Sequence, residues 1–111
     1  MGKVKQGDII KLNLDPTKGH EQAGYRPVLV INNASHSQAS NMVIVCPITN
    51  TDRKNPVHVR LEGLKTTGFV MCDHVRAIDV QARDFKAIES LDEETVWNVC
   101  DIVQGAVEVE Y

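Results

Sequence analysis

The chain has no cysteine pair at the spacing of a disulfide framework or of a Cys-x-x-Cys knuckle. Its three cysteines, Cys46, Cys72 and Cys100, are odd in number and widely spaced, and each sits in an apolar pattern. They read as small buried hydrophobes in a reducing compartment. No apolar run approaches the roughly 20 residues of a membrane span. Met1-Gly2-Lys3-Val4-Lys5 lacks the apolar stretch of a signal peptide, and Gln6 stands where a myristoylation pattern needs Ser or Thr. These absences point to a soluble, cytoplasmic protein with no membrane partner. The common catalytic signatures are missing too. There is no P-loop, no nucleophile elbow and no metal-ligand spacing among His20, His36, His58 and His74, which read as surface or loop residues. Cys46 has no local motif that would mark it as a nucleophile. No cofactor and no metal are expected.

Positive charge is missing from one stretch. From Glu89 to Tyr111 there is no Lys or Arg and there are 7 acids, whereas Met1 to Ile88 carries 12 Lys+Arg against 8 Asp+Glu. The formal net charge of −3 therefore hides a body of +4 and a tail of −7. A basic body can hold a local anion site despite the overall sign, and the acids fit the solvated face of a helix.

What is present is a series of short strand signals and one helix. The 111 residues suit one domain, 1–111, with a modest core. In Ile9 to Leu14, Ile10, Leu12 and Leu14 alternate with Lys11 and Asn13, a half-buried strand. Asp15-Pro16 ends it, and a glycine-bracketed polar loop follows. Pro27 lacks an N–H, so the next strand must begin at an edge or after a bulge. Val28 to Ile31 reads as buried on both faces. Asn32 to Asn41 reads as a polar loop, Met42 to Ile48 as a third strand, and Asn50 to Pro56 as a loop with two adjacent cations. In Val57 to Leu61 the pattern predicts Val57, Val59 and Leu61 inward, with His58 and Arg60 outward. Phe69 to Cys72 is a fifth strand, Val75 to Asp79 continues as strand or bend, and Val80 to Phe85 is ambiguous. Ala87-Ile88 suggests a short strand.

Ser90 is predicted to start the helix, in capping-box spacing with Glu93, with Asp92 as a competing cap. Val96, Val99, Cys100, Val103 and Val107 form its apolar stripe. Trp97 reads as a packing or subunit-contact residue. Many antiparallel strands with one terminal helix imply an α+β domain, a small twisted sheet curled into a partial barrel.

The residues left for chemistry stand at strand ends. Arg26 precedes a buried strand and Thr49 ends the third. Arg76 and Gln81 flank the bend after the fifth. In a curled sheet such ends can converge on one rim. An arginine and a hydroxyl facing one pocket suit a reaction that develops charge on phosphate oxygens. Read alone, Arg26 equally fits an ion pair with Glu21, and Thr49 a strand-end hydroxyl.

The stretch Gly7-Asp8-Ile9 followed by Asp15 to Val30, with its Glu21-Gln22-Ala23-Gly24-Tyr25-Arg26-Pro27 core, resembles the N-terminal signature of the MazF/PemK family of toxin endoribonucleases. Pro47-Ile48-Thr49 is similar to that family's second motif and Val75-Arg76-Ala77-Ile78-Asp79 to its third. The acid-rich helix from Leu91 resembles the C-terminal element. The resemblance implies an SH3-like, partly open antiparallel β-barrel with a C-terminal helix, working as a homodimer. It implies metal-independent, sequence-specific cleavage of single-stranded mRNA by attack of the 2′-hydroxyl, leaving 2′,3′-cyclic phosphate and 5′-hydroxyl ends, and neutralisation by an antitoxin. Arg26 and Thr49 match the catalytic pair, Glu21 a loop glutamate that affects activity, and Gln81 a supporting Gln; Gln22 belongs to the specific core. Lys18, Arg53 and Lys54 would meet phosphates, and Tyr25 could stack a base. The alternative on the same fold is a CcdB-like gyrase-binding toxin without nuclease activity. That activity relies on a C-terminal Trp-Gly-Ile, and this chain ends Val109-Glu110-Tyr111.

Overall fold

The computed structural model describes residues 4–15 and 24–110. Seven strands and two helices follow in the order β1 (Asp8–Asn13), β2 (Tyr25–Val30), α1 (Ala34–Ala39), β3 (Val43–Thr49), β4 (His58–Arg60), β5 (Phe69–Met71), β6 (Arg76–Ile78), β7 (Phe85–Ser90) and α2 (Glu93–Val107), with a 3-10 turn at Val80–Ala82 before β7. The described pairings are all antiparallel, in the order β4-β5-β3-β2-β1-β7, with β6 added to β3 off this path. β3 is the hub. Its first half pairs with β6, its middle with β2 and its last two residues with β5.

The apolar run from Val28 to Ile31 explains why the sheet is curled. Alternate side chains enter two cores on opposite faces. Leu29 and Ile31 join Ile9, Cys46, Ile48, Val70 and Val99 under α2. Val28 and Val30 join Ile10, Leu12, Leu14, Val45, Ile78 and Val80. Each such side chain contributes about 1.5–3 kcal/mol when fully buried, so one four-residue run supports both layers. The expected two-sided burial is met.

Gly7 ties three elements together. Its φ of +96° is open to glycine, its N–H donates to Val30 O at 2.8 Å, and its carbonyl accepts from Leu91 N at 2.8 Å. Pro27 lies one residue before the β2–β3 ladder, which opens at Val28↔Pro47, so it sits where β2 has only β1 beside it. This is the edge condition that proline needs.

Hydrogen bonds, not strand pairing, join the two margins of the sheet. The Glu89 carboxylate on β7 accepts from Lys65 N (3.2 Å), Thr66 N (2.7 Å) and Thr66 Oγ1 (2.7 Å), in the connection between β4 and β5. The architecture is the α+β, partly open barrel expected from the sequence.

Four expectations need correction. Asn32 to Asn41 is not all loop but contains α1. Its Asn and Ser content is cap chemistry: Asn33 Oδ1 accepts from His36 N at 2.9 Å. The buried Asn32 side chain also bonds Ile44 N and Ser37 Oγ, pinning α1 to the start of β3. Ser90 does not start the terminal helix. It ends β7, with Oγ donating to Asp8 Oδ1 at 2.9 Å, and Asp92 is the cap, accepting from Thr95 N at 3.0 Å. Val107 leaves the apolar stripe and is exposed, while Ile102 joins it. His58 does not face outward: its side chain is 3% exposed, because the turn after β5 brings Asp73 Oδ1 to 3.0 Å from its Nε2.

The Thr66 hydroxyl, followed by the backbone N–H groups, holds the Glu89 carboxyl below its ordinary value near 4.5. A depressed carboxylate stabilises the fold above its unfolded value, and that contribution is lost as pH falls through the folded value. Glu89→Gln is expected to cost at most about 1 kcal/mol at pH 7 by urea denaturation once solvent screening is allowed for, with the gap to wild type closing as pH falls below the ordinary carboxylate value near 4.5. A gap that is constant with pH would remove Glu89 from the closure.

Candidate functional site

Strand register points the two principal residues toward each other, although the ladder itself ends two residues before them. In the β2–β3 ladder Val28 faces Pro47, Leu29 faces Cys46 and Val30 faces Val45. Carried two residues further, the same register sets Arg26 across from Thr49, on the face of Val28 and Pro47. Arg26 also pairs with Leu12 on β1, and Thr49 with Phe69 on β5. The row Phe85, Leu12, Arg26 on one side and the row Thr49, Phe69, Arg60 on the other thus point at each other across this step. Leu12 and Phe69 are the immediate apolar neighbours of the guanidinium strand position and the hydroxyl strand position.

Thr49 is 4% exposed, one of two buried polar residues among those described. Its Oγ1 accepts from Thr51 N at 3.2 Å, which fixes the rotamer and leaves the hydroxyl hydrogen for donation. Its carbonyl is covered by Gly68, which has φ +116°. A Cβ there would lie 2.3 Å from Thr49 O. The adjoining Thr67 Oγ1 donates to Asn50 Oδ1 at 2.9 Å, so the β4–β5 connection grips β3 just where Thr49 ends it.

The other expected site residues fall into groups. Arg53 and Lys54 are exposed on the segment that follows Thr49, and Lys54 holds a left-handed φ of 54° supported by its N–H on Asp52 Oδ1. Tyr25 is exposed, on the face of β2 opposite to Arg26, with Lys11 Nζ 5.2 Å from its ring centre. Arg76 stands opposite Val45, and its Nη1 donates to Leu14 O at 3.1 Å. Gln81 is not brought to Arg26 and Thr49. It lines a cleft of about 790 Å³ with Asn33, Ser37 and Val43, at the far end of β3. The six steps from Val43 to Thr49 span roughly 20 Å of strand. Lys18, Glu21 and Gln22 lie outside the described residues, as does His20.

Other chemistry finds little support. Burial is the main force pushing the Cys46 thiol well up, and it takes Cys72 to about 12, so neither offers a thiolate at neutral pH. Among the described residues no group of three or more His, Cys, Asp or Glu is placed to hold a metal ion. Among the described residues no helix is long and apolar enough to cross a membrane.

Residues 5–106 match the family described as PemK-like, MazF-like toxin of type II toxin–antitoxin system. The chain belongs to this family. It is 40% identical over 100 residues to Endoribonuclease PemK of Escherichia coli, covering 86% of this chain and 74% of that one. The fold is similar to the crystal structure of MazF (Form-I) from Deinococcus radiodurans, with a TM-score of 0.86, 28% identity and coverage of 94% and 96%. It is also similar to a chain of the MazE–MazF (Form-II) crystal structure from the same organism, with a TM-score of 0.81, 27% identity and coverage of 96% and 97%.

In this PemK/MazF chain, Gly68 precedes the Phe69 to Cys72 strand signal and carried no motif that would mark it. Arg83, whose Nη1 contacts two carbonyls at the end of β1, lay in the ambiguous Val80 to Phe85 stretch and gave no motif signal. Gly68→Ala is expected to cost about 2 kcal/mol in urea denaturation, since the φ and the main-chain overlap penalise any side chain there. Unchanged stability would mean that Thr49 is not held by this contact.

Proposed function

We propose that the chain is an endoribonuclease toxin that cuts single-stranded mRNA at a short recognition sequence without a metal ion. What supports the reading is the β2–β3 register, which, extended two residues past its last pair, points Arg26 toward the buried, oriented Thr49 hydroxyl. Membership of the PemK/MazF toxins supports it.

The chemistry follows from what these groups can do. RNA carries its own nucleophile, the ribose 2′-hydroxyl, already adjacent to the phosphate, so the protein need supply none. The O2′–P bond forms as the P–O5′ bond breaks. The proton lost from the 2′-hydroxyl is balanced by one gained on the 5′-oxygen, giving a 2′,3′-cyclic phosphate and a 5′-hydroxyl. Arg26 donates two parallel hydrogen bonds to the non-bridging oxygens as their charge grows. Thr49, with Thr51 N–H on its lone pair, donates its hydrogen to the same phosphate. Both act by stabilising charge. A guanidinium stays protonated at neutral pH, and a threonine hydroxyl is too weak a base to serve alone.

The RNA path runs from these residues over the exposed Arg53 and Lys54, with Lys18, Glu21 and Gln22 of the β1–β2 connection and Tyr25 at the start of β2 contributing to binding. An antitoxin is the protein partner, and its acidic segment competes with RNA for the same cations. The toxin–antitoxin family description and the likeness to a MazE–MazF complex support this partner. The working unit is a homodimer of one-domain chains acting in the cytoplasm. Trp97, 70% exposed on α2, is an aromatic anchor suited to a subunit contact.

A long RNA incubated with the protein and EDTA is expected to be cut at a recurring sequence, with cyclic phosphate ends identified by end-specific ligation and sequencing. Arg26→Ala is expected to lower kcat/KM by about 10³-fold and Thr49→Val by about 10²-fold, with the folded state and sedimentation retained. Cleavage that EDTA abolishes, or that survives Arg26→Ala, contradicts this mechanism.

A further inference from the structure

The β2–β3 ladder closes at Val28↔Pro47, two residues short of Arg26 and Thr49. Adjacent strands are free to splay beyond their last pair, so the separation of the guanidinium and the hydroxyl needs a second tie. The structure holds one on the other side of β2. Arg83 Nη1 donates to Asn13 O at 2.6 Å and to Asp15 O at 2.9 Å, and Arg76 Nη1 donates to Leu14 O between them at 3.1 Å. Two arginines thus occupy three consecutive carbonyls where the chain leaves β1.

Both ends of this clamp are themselves fixed. Arg76 belongs to β6, which is registered on β3 through Val45↔Arg76 and Val43↔Ile78. Arg83 closes the 3-10 turn that follows, with its N–H on Val80 O at 3.3 Å, and Asp79 Oδ1 caps that turn through Gln81 N and Ala82 N. The clamped carbonyls lead directly to Arg26. Leu14 N donates to Gly24 O at 2.9 Å, Gly24 N donates to Asp15 Oδ1 at 3.1 Å, and the β1–β2 ladder runs Asn13↔Tyr25, Leu12↔Arg26. The tie therefore runs from the strand of Thr49 through β6 and the turn to β1, and from β1 to the strand of Arg26.

We propose that Arg83, with Arg76, is a positioning residue of the cleavage site, holding the Arg26 segment of β2 at a fixed separation from Thr49. The proposal rests on the cleavage reading above. It reassigns Arg76, expected from the sequence to support the site or contact substrate, and adds Arg83, which no motif marks. Arg83 Nη1 is committed to two backbone carbonyls, so its charge serves the fold of the site and not the RNA backbone.

The test is steady-state cleavage of a defined RNA by wild type, Arg83→Ala and Arg83→Lys at several salt concentrations, with amide hydrogen exchange on the same proteins. In Arg83→Ala, kcat is expected to fall about tenfold with KM and the salt dependence of binding unchanged, because misplacing a charge-stabilising group slows the reaction without removing a phosphate contact. Arg83→Lys, which can still donate to carbonyls, recovers most of the rate. Exchange at the Leu14 and Gly24 amides is expected to quicken at least about tenfold in Arg83→Ala, while amides of the β3–β5 ladder stay protected. A raised KM with kcat unchanged, and a salt slope shallower by about 0.7, would make Arg83 a phosphate contact and overturn the proposal. Unchanged kcat, or unchanged exchange at Leu14 and Gly24, would overturn it as well. If wild-type protein cuts no RNA, the cleavage reading fails instead, and the exchange arm alone decides whether the clamp exists.

Discussion

The pairing of β2 with β3 is the constraint on which the rest depends. It is short, only three described pairs, yet it joins the two strands that carry the proposed pair and supplies side chains to both cores. Because β3 also receives β5 and β6, the hydroxyl end of the site is held on a strand with several supports, whereas Arg26 sits where β2 has β1 as its paired neighbour. This asymmetry makes the hydroxyl the fixed half of the pair and the guanidinium the half whose place is set from outside its own ladder.

The site is built with the same means as the fold. Gly68 lets the β4–β5 connection lie on the Thr49 carbonyl, and Glu89 draws that connection toward β7. One stretch of main chain is therefore held from both margins of the sheet while it covers the end of β3. Arginine is suited to the opposite corner. Its planar fork satisfies carbonyls that a strand leaves unpaired at its end, and it does so without losing charge at any physiological pH.

The sequence made the apolar framework legible. Val28 to Ile31 announced a strand buried on both faces because four large aliphatic residues in a row leave no polar face. Alternation located β1, and the stripe from Val96 to Val103 located α2. Arg26 and Thr49 stood out as polar residues at the ends of apolar runs, but each also fitted a structural role, and it was the family likeness that singled them out as a pair. What failed was local and has physical causes. Asn33 caps a helix too short to show periodicity. Ser90 and Asp92 both carry cap chemistry, and only the Ser90 hydrogen bond to Asp8, distant in sequence, separates them. His58 obeyed the alternation that pointed it outward, but a turn folded over it. Arg83 could not be found at all, since its partners are carbonyls, which every residue possesses. Gln81 was carried over from family likeness, and the chain places it across the cleft beside α1.

Two-sided burial has a cost for folding. In most half-buried sheets a slip of one residue is rejected because it turns apolar groups to water and polar ones inward. Within Val28 to Ile31 that penalty is nearly absent, since either alternate set suits either core. The error is caught at the margins, where a slipped strand would force the Arg26 guanidinium toward the face of Leu29 and present Pro27 where Arg26 belongs. The groups that would handle a phosphodiester thus also mark the only alignment in which these strands can pair, and a variant that replaced Arg26 with an aliphatic residue would surrender that proofreading along with its charge.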